Sequence, residues 1–135
     1  MMKNIDICIA GLGNVGSSLV NLIEQNANYV INKSNLNINI LALSAKNKNK
    51  KRNFNIDNYE FIENPIDLLK VDNKTPNILI ELIGYEKDIS YELVKLALNQ
   101  KIHVITGNKA MLAKYGQELF KIAEKIKFCY CLKQL

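Results

Sequence analysis

Apolar residues come in short blocks along this chain, and the blocks alternate between two periods. Ile5, Ile7, Cys8, Ile9 and Ala10 form a nearly continuous apolar run, the pattern of a parallel strand covered on both faces. Beyond a glycine-rich break the spacing changes. Val15, Leu19, Leu22 and Ile23 fall at i, i+4, i+7 and i+8, one face of a helix predicted over about Val15 to Gln25. A second strand is predicted near Ile38–Leu43, a short helix from Pro65, and a third strand over Ile78–Ile83, closed by Gly84. A helix at about Ser90–Asn99 sets Leu93, Leu96 and Ala97 on one side, with Ser90 as its N-cap. Ile102–Thr106 reads as a further strand, turning at Gly107-Asn108 into a last helix, Lys109 to Lys125, expected to break near Gly116. This alternation predicts an α/β fold: a Rossmann-like, doubly wound parallel sheet with right-handed crossovers.

The break between the first strand and helix reads Gly11-x-Gly13-x-x-Gly16. In a dinucleotide-binding turn the first glycine allows the sharp bend, the second admits a phosphate to the main chain, and the third lets helix and strand pack closely. The helix that follows offers unpaired N–H groups and the positive end of its dipole to an anion. Gly11, Gly13, Asn14, Val15 and Gly16 are therefore candidate cofactor-binding residues. An ordinary strand-to-helix turn that binds nothing is the competing reading. In an open parallel sheet the ligand lies beyond the carboxyl ends of the strands. Three segments leave the sheet at that edge: the glycine turn, the region around Gly84, and Thr106-Gly107-Asn108-Lys109.

Composition narrows the class. A chain of 135 residues, 48% hydrophobic, builds one domain with a real core. No apolar run approaches the roughly 20 residues of a membrane span, and the N-terminus leads into a strand with no signal-peptide pattern before it. A soluble, cytoplasmic protein without membrane contact is expected. Cys8 reads as a small core hydrophobe, and Cys129 and Cys131 have the wrong spacing for zinc or a redox pair, so no metal site is expected. The only histidine, His103, reads as a packed strand residue, and no G-x-S-x-G elbow is present for triad chemistry.

Much of the net charge of +5 comes from Lys46, Lys48, Lys50, Lys51 and Arg52. A solvated loop is the first reading of this cluster and a phosphate contact on a cofactor the second. Nucleic acid is set aside, because no aromatic residue is interleaved for base stacking. NAD sites place Asp or Glu at the end of the second strand, whereas NADP sites accept cations there. Here the strand ends Leu41-Ala42-Leu43-Ser44-Ala45-Lys46, with no acid. The expectation is NADP over NAD, with Lys46, Lys51 or Arg52 at the 2′-phosphate.

Three blocks together resemble the N-terminal cofactor domain of the homoserine dehydrogenase family. They are the glycine turn Ile9–Gly16, the segment Glu81-Leu82-Ile83-Gly84, and Val104-Ile105-Thr106-Gly107-Asn108-Lys109-Ala110-Met111-Leu112-Ala113 with Tyr115-Gly116-Gln117-Glu118-Leu119-Phe120. The last block looks like the family signature V-T-A-N-K-A-L-L-A followed by G-x-E-L-F, and the resemblance runs from about Lys3 to Lys125. Gly107 stands where the family has alanine, and Tyr85 where a second glycine is common.

The resemblance implies reversible hydride transfer between a nicotinamide and aspartate 4-semialdehyde, giving homoserine for threonine and methionine biosynthesis. It implies a catalytic Lys109 that reaches the nicotinamide side and the substrate. Gly84, Thr106 and Asn108 would be cofactor contacts, although Asn108 reads equally as the N-cap of the last helix. The family's acidic substrate ligands, its second lysine and its glycine-rich E-A-x-V-x-G-G-I-P segment are not matched in this sequence. Residues 1–126 are accordingly expected to form the dinucleotide-binding domain, and 127–135 the start of a missing catalytic domain or an aberrant tail. Such a chain is expected to be a fragment or a prematurely terminated product, inactive alone, with a homodimer expected of the full-length form. The alternatives are a Rossmann sensor that needs no lysine, or another nicotinamide dehydrogenase, such as one acting on aspartate.

Overall fold

The computed structural model describes residues 1–84, 88–126 and 133–134. Among the described residues, five parallel strands form one sheet in the order β2-β1-β3-β4-β5. They are β1 (Lys3–Ala10), β2 (Leu36–Ser44), β3 (Ile78–Glu81), β4 (His103–Thr106) and β5 (Lys133–Gln134). Three helices cover the sheet among the described residues: α1 (Asn14–Ser34), α2 (Ile89–Asn99) and α3 (Lys109–Lys125). Short 3-10 helices at Ile56–Asn58 and Pro65–Leu69 lie in the long connection from β2 to β3.

Successive side chains of a strand point to opposite faces, and β1 shows why that builds two layers. Ile7 and Ile9 pack with Val20 of α1, Leu43 and Ile80 on one face. Cys8 and Ala10 pack on the other, with Leu79, Val104, Leu93 and Leu98 of α2, and Leu119 of α3. Each fully buried Leu or Ile contributes about 1.5–3 kcal/mol, so this short strand anchors helices on both sides. The doubly wound architecture is present. Because β2 and β3 lie on opposite sides of β1, the loops leaving β1 and β3 diverge and open a crevice between them.

Several local expectations are revised by packing. α1 runs on to Ser34, where Asn35 adopts a left-handed conformation (φ 59°) and its N–H bonds Ile31 O. Its inner face is Gly16, Leu19, Val20 and Ile23, while Val15 and Leu22 are 59% and 58% exposed. Both faces have helical spacing. The choice between them is made at Gly16, where an added Cβ would stand 2.0 Å from Gly11 O, so residue 16 must face the sheet. Ser90 is not a cap: it is buried inside α2, which starts from Asp88, and its hydroxyl turns inward to Glu81. Leu96 is 40% exposed, while Leu93, Val94, Ala97 and Leu98 form the inner face of α2. α3 is continuous through Gly116, which lies buried on the inner side of the helix.

β3 ends at Glu81 because the N–H of Ile83 turns back to the Glu81 carboxylate (2.7 Å) instead of continuing the ladder. Cys8 is fully buried, its thiol donates to Leu68 O (3.3 Å), and burial pushes its pKa up to about 12. His103 opens β4 at the end of the sheet opposite the glycine turn. Among the described residues no helix is long and apolar enough to cross a membrane. Tyr85, Cys129, Cys131 and the strand expected from Lys127 to Tyr130 lie outside the described residues. Lys133 and Gln134 pair with Ile105 and Thr106 and so extend the sheet.

Candidate functional site

A cleft of about 840 Å³ opens at the carboxyl ends of β1 and β3. Its floor is the glycine turn, Gly11 to Gly16; Leu82, Ile83, Gly84 and Ile89 form one wall, and the loop after β2 forms the other. The turn is pinned at both sides: Gly11 N–H bonds Ser44 O at 2.8 Å, and Leu82 N–H bonds Ala10 O at 2.7 Å. Gly11 has φ +99°, and a Cβ there would meet the Leu82 carbonyl carbon at 2.6 Å. Gly13 differs, because a Cβ built on it meets no atom within 4 Å.

Gly13 is also the N-cap of α1, where it supplies no side-chain cap, and no acidic residue lies in the first turn. The leading N–H groups of Asn14, Val15 and Gly16 are thus directed at the cleft without a side-chain partner of the usual kind. An empty space above Gly13 and an uncapped helix start fit a diphosphate of a dinucleotide.

The basic loop is organised by Arg52. Its guanidinium donates to Leu12 O (3.4 Å), Asn47 O (2.6 Å), Lys48 O (2.9 Å) and Lys50 O (3.0 Å), clipping the loop onto the glycine turn. Among the described residues, Arg52, Lys46 and Lys50 line the cleft together with one acid, Glu63. Lys51 does not line it. Lys50 lies in the turn that the Arg52 guanidinium closes through the Asn47, Lys48 and Lys50 carbonyls, and it is this turn that brings Lys50 to the cleft. Lys50 is the contact that charge counting alone did not single out.

The turn after β4 has a different structure from the one expected of direct cofactor contacts. Thr106 is fully buried; its hydroxyl donates to Glu81 Oε1 (2.7 Å) and accepts from Asn108 N–H (3.0 Å). Asn108 is the N-cap of α3, accepting from Met111 N–H (3.0 Å) through Oδ1 and donating from Nδ2 to Ile83 O (3.1 Å). Both side chains brace the turn, and neither lines the cleft. Lys109 is exposed and opens α3 at the same rim, outside the residues that line the cleft.

Glu81 was not singled out from the sequence. It is fully buried at the end of β3, and its carboxylate accepts from Ile83 N–H (2.7 Å), Ser90 Oγ (3.3 Å) and Thr106 Oγ1 (2.7 Å). Burial raises its pKa above the usual carboxylate value, against the lowering effect of those three hydrogen bonds. Its signal in the sequence is a lone charge inside the apolar run Ile78–Ile83. A second depression, of about 400 Å³, lies on α1 and β2 and is lined by apolar side chains and Asn26.

Residues 11–132 match the family model of the homoserine dehydrogenase NAD-binding domain. The chain belongs to the homoserine dehydrogenase family. Homoserine dehydrogenase of Neisseria gonorrhoeae is 32% identical over 124 residues, which are 92% of this chain and 28% of that protein. The Bacillus subtilis enzyme is 31% identical with the same coverage. The crystal structure of Staphylococcus aureus homoserine dehydrogenase at pH 6.5 superposes with a TM-score of 0.84 at 32% identity, over 96% of this chain and 32% of that one. The chain thus spans under a third of the length of these homoserine dehydrogenases, and the part it matches is their NAD-binding domain.

Proposed function

We propose that this chain binds NADP in the cleft above Gly13, as the cofactor-binding portion of an oxidoreductase that interconverts homoserine and aspartate 4-semialdehyde. The observation that carries the reading is the uncapped start of α1 beneath open space at Gly13. Family membership narrows the dinucleotide to a nicotinamide one. When bound, the nicotinamide supplies hydride transfer to or from the substrate carbon.

The chain's own residues hold and orient it. The N–H groups of Asn14, Val15 and Gly16 take the diphosphate, and Gly84 forms the wall on the β3 side. Among the described residues of the cleft, Lys46, Lys50 and Arg52 put three cations against the acid Glu63 around the adenosine end, a balance that favours a 2′-phosphate over a free ribose hydroxyl. Lys109, at the start of α3, assists proton transfer at the alcohol oxygen beside the nicotinamide. A cation at a helix N-terminus opposes the dipole, and no acid in the first turn of α3 offsets it, so a purely structural role for Lys109 has little physical support. The 135 residues are assigned nucleotide binding and not turnover. The complete enzyme works as a cytoplasmic homodimer and feeds threonine and methionine biosynthesis.

Titration calorimetry of the purified chain with NADPH and NADH tests the cofactor. Tighter binding of NADPH is expected; tighter NADH binding refutes the 2′-phosphate assignment. In a complete enzyme carrying this domain, Lys109→Ala should lower kcat by about 100-fold or more. Unchanged turnover would show that Lys109 takes no part in the reaction.

A further inference from the structure

We infer that Glu81 is the positioning residue for the nicotinamide half of the cofactor site, acting through a closed ring of hydrogen bonds that fixes the lip carrying Lys109. The inference rests on the cofactor reading above and adds to it a residue that touches neither cofactor nor substrate.

The ring has four members from two strand ends. Glu81 Oε1 accepts from the Thr106 hydroxyl at 2.7 Å, and that hydroxyl accepts from Asn108 N–H at 3.0 Å. Asn108 Nδ2 donates to Ile83 O at 3.1 Å, and Ile83 N–H returns to Glu81 Oε2 at 2.7 Å. Ser90 Oγ adds a brace from α2 at 3.3 Å, and Gly107 N–H bonds the backbone oxygen of Glu81 at 3.0 Å. Ile83 lines the cleft, and Lys109 follows Asn108 directly. One buried carboxylate therefore couples the cleft wall to the catalytic lip.

The charge itself has a reason. A buried carboxylate carries a heavy desolvation cost, and a core position between Ile80 and Leu82 has no need of one. As they are oriented, all three side-chain and backbone partners donate to Glu81, an arrangement that an acceptor at both oxygens satisfies. Against an ionised carboxylate the Thr106 hydroxyl spends its one proton on Glu81 and accepts from Asn108 N–H on a lone pair. An amide in place of the carboxylate keeps one acceptor oxygen for Ile83 N–H and Ser90 and turns its NH2 to Thr106, so that this hydroxyl must reverse. It also gives up the charge that strengthens the bonds of the ring. The ring is then held by neutral bonds alone, each about half as strong, and loosens.

The glycine turn lies outside this ring, so the two halves of a bound dinucleotide should respond differently to its loss. The test compares two probes on the whole chain by calorimetry: NADPH, and 2′-phospho-ADP-ribose, which lacks the nicotinamide. Wild type is expected to bind NADPH more tightly than the fragment. In Glu81→Gln, NADPH affinity should fall by about fivefold or more, with the fragment changed less than twofold. Thr106→Val, which deletes the hydroxyl at constant shape, should reproduce this loss if Glu81→Gln does not fold, and Thr106→Ser should restore the wild-type ratio. A wild-type ratio of affinities in Glu81→Gln or Thr106→Val, whether both probes are unaffected or both weakened equally, overturns the inference and leaves Glu81 a purely structural residue. Equal affinity of wild type for both probes overturns it as well. If wild type binds neither nucleotide, the cofactor reading falls and the inference falls with it.

Discussion

Alanine at each of the three glycines of the first turn should separate folding from cofactor binding, because the three sites differ in what a methyl group meets. At Gly13 the added Cβ has no neighbour within 4 Å, and φ is −75°, a value open to any residue. Two small terms then oppose each other. Alanine restricts the unfolded chain, a gain of about 0.4–1 kcal/mol, and is a poorer N-cap than glycine by a similar amount. The melting temperature of Gly13→Ala should move by less than about 3 °C. At Gly16 the Cβ would stand 2.0 Å from Gly11 O, and at Gly11 it would stand 2.6 Å from the Leu82 carbonyl with φ at +99°. Overpacking of this kind costs about 1–3 kcal/mol or more, and left-handed backbone strain at residue 11 adds about 1–3 kcal/mol. Gly11→Ala should lose about 10 °C in melting temperature and Gly16→Ala somewhat less, at about 3 °C per kcal/mol for a domain of this size.

Binding should show the reverse order of informativeness. The methyl of Gly13→Ala occupies the space assigned to the diphosphate and holds it off the N–H groups of α1. Charge-assisted bonds of this type contribute about 1.5–3 kcal/mol each, so NADPH affinity should fall at least about tenfold in a variant that is as stable as wild type. Thermal melts by circular dichroism and calorimetric titration read both quantities. Wild-type affinity in a folded Gly13→Ala protein would remove the diphosphate from that position. A Gly16→Ala protein of wild-type stability would refute the packing that orients α1.

Other expectations concern the loops and the core. Asn108→Ala removes the cap of α3 and the bond to Ile83 O; it should cost about 1–2 kcal/mol, read as a lower urea midpoint with unchanged slope. Arg52→Ala releases four carbonyl contacts, so amide exchange in residues 46–51 should speed up and NADPH binding weaken; unchanged exchange would show that Arg52 does not order the loop. Cys8 has a folded pKa of about 12 against 9.0 for the free thiol. Its contribution is therefore fully present below pH 9 and is lost as pH rises toward 12. The stability difference between wild type and Cys8→Ala should shift against wild type by about 1.4 kcal/mol per pH unit above pH 9. A difference constant from pH 8 to 10.5, measured by urea unfolding under reducing conditions, would contradict the burial of that thiol.

Periodicity along the chain was sufficient for the order of elements, the parallel sheet with helices on both sides, and the location of the glycine turn at its carboxyl edge. These are local properties: a strand or helix announces itself through neighbours two to eight residues away. The resemblance carried by the glycine turn, Glu81–Gly84 and the Thr106–Lys109 block also reached the family, because those residues are contiguous. Faces and partners were less legible. Val15–Leu22 and Gly16–Val20 both describe a helical stripe, and only the contact of Gly16 with Gly11 decides which one turns inward.

The amino-acid sequence by itself determined the fold class, the kind of turn that can hold a dinucleotide, and the presence of cations after the second strand. Tertiary structure decided which of those cations face the cleft, that Thr106 and Asn108 brace the rim from within, and that Glu81 joins two strand ends. The reason is distance along the chain. Thr106 meets Glu81 across 25 residues and Arg52 meets Leu12 across 40. A hydrogen bond between such groups exists only once the sheet has brought their strands side by side.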